Sequence, residues 1–531
     1  MAPRPATPYD SGGMHRITRL GRVTLAAIAC ISFASWSEPR AADYDLLIRN
    51  ASVVDGTGAP AYRANVLVKG DSVAAIDKQL RADAKAARVI NADGRTLAPG
   101  FIDLHAHGDP LEQSFENFLA MGVTTVVLGQ DGDSVQLESA SAEQPFAEWA
   151  SAAETAGVQV NVAALSGHGS LRHLAQIPDS VRHLSPEQAG RLRSVLHADL
   201  QAGTFGMSTG LEYVPGIYSE PAEIMPLARE VGAAGGVIMS HMRSEDDDKI
   251  NQSLDELVAQ GAHARVHISH LKVVFGKGAE RGRQLLAVLE SKRKAGVDLT
   301  ADAYPYSAGY TGIAILFPEW ALPPADYKAI VAARRGELAT YLEKRMMKRG
   351  GPEAMLFGTT PYAGQTLAQA SAAAGKNYVD FLIELGPNGG SGAHFTMDEA
   401  TQDVLFGDPS VAICTDGSPG MRHPRSTGTY AKLFERYVRE KRMLTVEQAV
   451  HKASGLPAQI MRFQDRGTIK VGAKADLVLF DVAKVHATSS YVDPFTLAEG
   501  FDLVMVNGHV AREGGKLQPG RDGRVLRAGL R

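Results

Sequence analysis

Cysteine is almost missing from this chain: Cys30 and Cys414 are the two present in 531 residues. Disulfides therefore cannot staple the fold, and its stability has to come from a large apolar core. Basic excess is missing too, with 55 Lys and Arg against 59 Asp and Glu and a net charge of −4. Without surplus cations to neutralise phosphates, nucleic acid is not an expected partner. Beyond the first forty residues no continuous apolar run is long enough to cross a bilayer, which excludes a multi-spanning membrane protein and leaves no membrane span in the mature chain. Internal repeats and low-complexity tracts are also lacking. What remains, 44% hydrophobic and 21% charged residues, is the composition of a soluble enzyme. The length calls for one large catalytic domain and something smaller.

The N-terminus has a different texture. Arg16, Arg19 and Arg22 precede an apolar run from Val23 to Phe33, and Ser35 to Ala42 follow with small residues at the end. A positive segment, a short apolar core and a small-residue site describe a secretory signal over residues 1–42, with Met14 as an alternative start. The expected location is the periplasm. Lipid attachment at Cys30 is disfavoured, because the residue three before it is Ala27 rather than a bulky aliphatic.

From residue 43 to 98, short runs such as Asp45–Asn50, Ala51–Asp55, Ala64–Val68 and Ser72–Ile76 alternate with Gly and Asp turns. The far C-terminus, 465–531, repeats this texture in Ala475–Asp481 and Leu503–Gly508. The two ends are expected to pair into one small β-sandwich. Between them, 99–464 alternates strands and helices. Strands are expected at Gly100–Leu104, Thr124–Leu128, Gln159–Ala164, Thr204–Ser208, Gly236–Ser240, Arg265–Ser269, Asp298–Ala301 and Val411–Cys414, with helices such as Ala222–Ala234 and Ile250–Gln260 between. The fold class is thus α/β, a (β/α)₈ TIM-type barrel with its site at the strand C-termini. Residues 318–406 exceed one connection and are expected to form a helical insertion over the mouth.

Histidines gather at those strand ends. His105 and His107, in Phe101-Ile102-Asp103-Leu104-His105-Ala106-His107, share one face of an extended chain and can share a divalent cation. Alone, such a pair is no more than two structural histidines. However, Gly236–His241 and Arg265–His270 also end in His, and Val411–Asp416 ends in Asp. That many potential ligands at the ends of one set of strands point to a metal centre. His267 alternates away from His270 and is expected to pack against a helix. His168, in Ser166-Gly167-His168-Gly169, follows a further strand and either faces substrate or is a plain loop histidine.

The order HxH, His, His, Asp resembles the amidohydrolase superfamily. Finer motifs resemble its D-aminoacylase (N-acyl-D-amino-acid deacylase) branch: Ser208-Thr209-Gly210-Leu211-Glu212-Tyr213, Ile268-Ser269-His270-Leu271-Lys272, Asp302-Ala303-Tyr304-Pro305-Tyr306-Ser307-Ala308-Gly309 and His423-Pro424-Arg425. The likeness spans about residues 44 to 515 and implies a role for each match. His105 and His107 would hold one metal position, His241 and His270 the other, and Asp416 would be both ligand and proton-transfer group. Tyr213, Lys272, one of Tyr304 and Tyr306, and Arg425 would hold the substrate's carboxylate and acyl carbonyl. The metal implied is Zn²⁺, one or two ions, with Mn²⁺ or Co²⁺ able to substitute.

Two positions depart from the branch. Where its members carry a metal-binding cysteine, this chain reads Val127-Leu128-Gly129-Gln130-Asp131-Gly132, and where they read Ala-Gly-Ser it has Ala308-Gly309-Tyr310. Asp131 is the candidate replacement ligand, bridging or terminal, with a turn role for Asp131 and a ligand role for Glu212 as rivals. The implied reaction is zinc-assisted hydrolysis of the amide of an N-acyl amino acid, the D form by resemblance. A dipeptidase or cyclic-amide hydrolase on the same site is the alternative, and a non-catalytic periplasmic binding protein a remoter one.

Overall fold

The computed structural model describes residues 43–529 except 82–83, 138–140 and 142. The signal segment 1–42, with Cys30, lies outside the described residues. All eight strands expected in the central region occur, each within two residues of its expected limits. They are β1 (Phe101–Asp103), β2 (Val123–Leu128), β3 (Asn161–Ala164), β4 (Gly206–Gly210), β5 (Val237–His241), β6 (Arg265–Ile268), β7 (Leu299–Ala303) and β8 (Val411–Ile413). Every pairing among them is parallel. β1, β2 and β3 form one sheet, and β4 to β8 form another that begins on Ser166–Gly167, just past β3.

The two sheets are joined at both edges. On one side Phe205 N–H donates to Ala164 O at 2.9 Å; on the other Asp416 N–H donates to His105 O and His107 N–H to Gly417 O, both at 2.8 Å. The strands are apolar on both faces, as parallel strands buried on both sides require. Leu104, Val127, Ala163, Leu165, Val237, Met239 and Ala412 pack together on one face. Val126, Val162, Met207, Ile238, Val266, Ala301 and Ile413 pack outward on helices such as Pro221–Ala233 and Ile250–Gln260. Each fully buried Leu, Ile or Val contributes about 1.5–3 kcal/mol, and this replaces the disulfides the chain lacks.

The chain ends do pair, but as one continuous nine-stranded sheet. Leu477–Phe480 runs antiparallel to Thr96–Pro99 and so joins the C-terminal strands to the N-terminal ones. One face encloses Leu46, Ile48, Val66, Leu477, Leu479, Leu503 and Met505; the other presents Val478, Phe480, Val504 and Val506 to the central core. The two short strands expected over 45–55 are one strand, Tyr44–Val53, with its register broken after Ile48. Two C-terminal segments leave this sheet. Ser489 and Tyr491 lie against Pro424 and His423, and Val162 N–H donates to Arg524 O beside β3.

The expected insertion is not wholly helical. It holds the helix α1 (Tyr327–Lys348) and three shorter ones, but Met355–Phe357 and Ser391–His394 pair antiparallel, and the latter also pairs with Gly309–Gly312. Strands of three and four residues are too short for a period of two to show in the sequence. In α1, Leu338, Leu342 and Met346 recur every four residues, so one helix face packs on Ile313, Leu316 and Phe357 in a separate core.

Candidate metal and substrate site

Four imidazoles and two carboxylates meet at the C-terminal ends of the strands. His105 Nε2 lies 3.2 Å from His107 Nε2, 3.4 Å from Asp131 Oδ2 and 3.6 Å from Asp416 Oδ1. His107 Nε2 lies 3.5 Å from Asp131 Oδ2 and 3.2 Å from Asp416 Oδ1. Asp131 turns its other oxygen away, so that Oδ1 sits 3.4 Å from His270 Nε2, which is 3.0 Å from His241 Nδ1. His241 Nε2 meets Glu212 Oε2 at 3.1 Å, while Tyr213 Oη lies 3.3 Å from Nδ1.

The local chain explains this convergence. His241 ends β5 on the same face as Val237 and Met239, which pack with the other inward side chains. Asp131, His270 and Asp416 each follow a strand in the left-handed region, at φ +54°, +39° and +49°. Such backbone is unfavourable for these residues and is kept where the surroundings over-determine it, most often at functional sites. The turn before Asp131 needs Gly129, at φ +79°, where a Cβ would lie 2.1 Å from Leu165 O. Gly210 lets β4 press against the same turn, since a Cβ there would meet Asp131 O at 2.0 Å.

The donor set fits a divalent cation. Tetrahedral bonds of about 2.0–2.1 Å place neighbouring ligand atoms roughly 3.3–3.4 Å apart. The five separations among His105 Nε2, His107 Nε2, Asp131 Oδ2 and Asp416 Oδ1 given above bracket that distance. Asp131 Oδ1 is buried without a hydrogen-bond partner. The turn role weighed for Asp131 requires that carboxylate to bond its own backbone, and Oδ1 does not. His241, His270 and Asp131 Oδ1 offer a second position, and His105, Asp131, His270 and Asp416 also group as candidate ligands. Glu245 lies near His241 and His270 as well, but its Oε1 already accepts from Lys272 Nζ at 2.6 Å, so a cation there would face an ammonium. Glu212 reaches His241 and is the more peripheral of the two acids weighed.

Charge is arranged around this centre. Burial opposes ionisation of Asp416, yet the Arg425 guanidinium, 2.8 Å from Oδ2, and the nearby imidazoles hold its carboxyl well below the usual range. Burial likewise opposes a charged His107, but hydrogen bonds to Asp131 and Asp416 outweigh it and lift its pKa to about 10. Glu245, buried but facing Lys272, is held down at about 2. It lies 3.2 Å from His270 Nδ1. A carboxylate there fixes the tautomer that leaves Nε2 free for a metal.

Several expected substrate contacts are placed differently. Lys272 is committed internally, with Nζ donating to Glu245 Oε1 at 2.6 Å and to His270 O at 3.2 Å, and lying 2.7 Å from His270 Nδ1. It orients Glu245 rather than waiting free for a substrate. Tyr306 donates its hydroxyl to Pro424 O at 3.1 Å and lines neither chamber of the site. Tyr304 lines the cavity with its hydroxyl buried and unpartnered, which separates the two tyrosines the sequence left open. Arg425 is 1% exposed, lies over the Tyr304 ring at 4.9 Å, and keeps Nε unpartnered beside its ion pair with Asp416. His168 lines the second chamber, but its Nε2 is 2.7 Å from Glu223 Oε1, which Arg172 also binds. His267 does not pack against a helix: it is registered with inward-facing Met239, and its Nε2 lies 2.9 Å from Asp302 Oδ2. The departure at His270 has a simple cause, since β6 ends at Ile268 and the left-handed turn at His270 resets the alternation.

A cavity opens over the centre. Asp131, Glu212, Tyr213 and Tyr304 form part of one wall; Tyr310, Thr311, Arg349 and His394, from the insertion and its flank, form the other. A second chamber opens past Tyr213 and Asp416 between Gly132, Gly169, Val214, Pro215, Gly216 and Met421. Sequence reasoning missed Glu245, Arg349 and His394. Only Glu245, four residues beyond His241, stood close enough to a motif to be found.

The chain is similar to several known proteins. The Amidohydrolase family model matches residues 391–511. An N-acyl-D-glutamate deacylase of Alcaligenes xylosoxydans xylosoxydans is 34% identical over 488 residues, covering 87% of this chain and 93% of that protein. An N-acyl-D-aspartate deacylase of the same organism is 31% identical over 511 residues, covering 92% and 96%. Among solved structures, an N-acyl-D-glutamate deacylase from Bordetella bronchiseptica, complexed with zinc and a phosphonate mimic of the tetrahedral intermediate, superposes with a TM-score of 0.78 at 29% identity, covering 91% of this chain and all of that one. The chain belongs to the amidohydrolase family, in its D-aminoacylase branch.

Proposed function

We propose that this protein is a zinc-dependent N-acyl-D-amino-acid deacylase, exported to the periplasm, whose eight parallel strands close into one (β/α)₈ barrel. The edge hydrogen bonds at Phe205 and His107 support that closure. The exported location rests on the N-terminal signal pattern alone. His105, His107, His241, His270, Asp131 and Asp416 would hold the metal. Zinc, when bound, supplies Lewis acidity to the water and to the scissile carbonyl.

The observation that carries the reading is Asp416. Its Oδ1 faces the imidazoles and its Oδ2 faces Arg425, so it stays ionised while buried. An ionised, oriented carboxylate can take a proton from water as the water oxygen attacks the acyl carbon. It returns that proton to the nitrogen as the C–N bond breaks, releasing a carboxylic acid and a free amine. Tyr213, beside His241, donates to the oxygen that gains charge. Arg425 and Tyr304 take the α-carboxylate, and the Gly- and Pro-walled chamber receives the acyl group.

The test is a screen of zinc-loaded protein against paired N-acetyl-D- and N-acetyl-L-amino acids, dipeptides and cyclic amides. Release of free D-amino acid is expected. Turnover of dipeptides or cyclic amides alone would replace the reading.

A further inference from the structure

Arg349 follows the last turn of α1 and reaches the cavity with 4% of its surface exposed. Its Nε is buried without a partner. None of its nitrogens has a side-chain hydrogen bond or an ion pair among the described residues. The nearby carboxylates are all committed elsewhere: Glu212 to His241 at 3.1 Å, Glu245 to Lys272 at 2.6 Å, and Asp246 to both Arg345 and Lys348 at 3.0 Å. Beside it His394, 1% exposed on the insertion's sheet, has both ring nitrogens buried and unpartnered. Burial, with Arg349 and Arg345 nearby, holds its imidazole neutral, so it carries one N–H donor.

An unpaired guanidinium and an unpaired imidazole N–H lining one cavity are costly unless a ligand satisfies them. We propose that Arg349 and His394 form a subsite for a second carboxylate, so that the preferred substrates are N-acyl-D-amino acids with an acidic side chain. This rests on the deacylase reading above, in which Arg425 and Tyr304 take the first carboxylate. Arg349 presents a planar fork suited to a carboxylate, and a neutral amide can accept from it but brings no charge. Of the two acidic lengths, glutamate and aspartate, the assay decides which fits.

The experiment compares kcat/KM for N-acetyl-D-glutamate, N-acetyl-D-aspartate and the near-isosteric N-acetyl-D-glutamine on zinc-loaded protein. Wild type should favour the better acid over the amide by at least about 100-fold. Arg349→Met should bring the acid down to the level of the amide while changing the amide by less than about threefold, and Arg349→Lys should recover part of the difference. Wild type that hydrolyses the amide as fast as the acids overturns the subsite, and this result needs no variant to fold. Equal losses on acid and amide in folded Arg349→Met also overturn it, by assigning Arg349 to the α-carboxylate or to structure. A protein inactive on every N-acyl-D-amino acid refutes the deacylase reading instead. Calorimetry with free D-glutamate and D-glutamine then decides the subsite by itself: tighter binding of D-glutamate, lost in Arg349→Met, supports it, and equal binding overturns it.

Discussion

On the wall of the cavity made by the strand ends, the charged groups face opposite partners, Asp416 and Arg425 at 2.8 Å and Glu245 and Lys272 at 2.6 Å, and Glu212 meets the His241 ring at 3.1 Å. On the wall made by the insertion, Arg349 and His394 have none among the described residues. The strand-end wall is anchored by eight hydrogen-bonded strands, whose ends bring the candidate ligand atoms together. The insertion wall has its own small core. The proposed chemistry thus falls on the strand-end side and the proposed recognition on the insertion side, the division expected when function is grafted onto a fold.

The comparison is broken most completely at the metal. Chelation should abolish activity, and zinc should restore it. His241→Ala and His270→Ala should both lose bound metal and fall to background, read by elemental analysis and amide hydrolysis on the same samples. Asp131→Ala should lose metal more severely than Glu212→Ala, because Asp131 faces both imidazole pairs and Glu212 only His241. Full occupancy in Asp131→Ala with loss in Glu212→Ala would hand the bridging role to Glu212.

Next in size is Asp416→Asn. The amide keeps the shape and part of the coordination but cannot accept a proton, so metal content should persist while kcat falls by roughly 10²–10⁴-fold. Arg425 would then face a neutral group, and a partial loss of stability would accompany the kinetic one. Turnover near the wild-type rate would mean that the proton travels by another group.

The two walls also differ in how well they could be read from the sequence. β5 ends in His241, and His270 follows the end of β6 by two residues, so a cluster of candidate ligands at neighbouring strand ends was legible in the sequence. The position of Asp131 beside His105 and His107 was legible as well, because Gly129 announces a sharp turn at the strand end. Lys272 and Arg425 were read correctly as reaching the site but not as ion-paired there. Pairing depends on Glu245 and on rotamers that no local pattern encodes. Arg349 and His394 were invisible for a plainer reason. They lie on a helix end and a four-residue strand inside an insertion, distant in sequence from every motif, and the pairing of Ser391–His394 with Gly309–Gly312 sets His394 beside the cavity wall. His267 misled because strict alternation was extended past Ile268, where the strand stops.

The smallest effects separate the two tyrosines, and they sharpen the comparison by opposing activity to stability. Tyr304 keeps a buried hydroxyl with no partner inside the cavity, so Tyr304→Phe removes an unsatisfied group. That variant should be as stable as wild type or slightly more so, yet lose roughly 10-fold or more in kcat/KM, because a substrate carboxylate forfeits a donor. Tyr306 is the reverse. Its hydroxyl donates to Pro424 O at 3.1 Å, and its ring meets His423 at 5.5 Å and the Lys432 ammonium at 4.1 Å. Phe preserves the ring contacts, and Pro424 O still accepts from Gly428 N at 2.9 Å and Ser489 Oγ at 3.3 Å. Tyr306→Phe should therefore cost about 0.5–1.5 kcal/mol in chemical denaturation and leave kcat/KM within about twofold of wild type. If Tyr306→Phe instead impaired turnover while Tyr304→Phe did not, the carboxylate would have to bind on the far side of Tyr304, against Pro424. The substrate orientation proposed here would then be reversed.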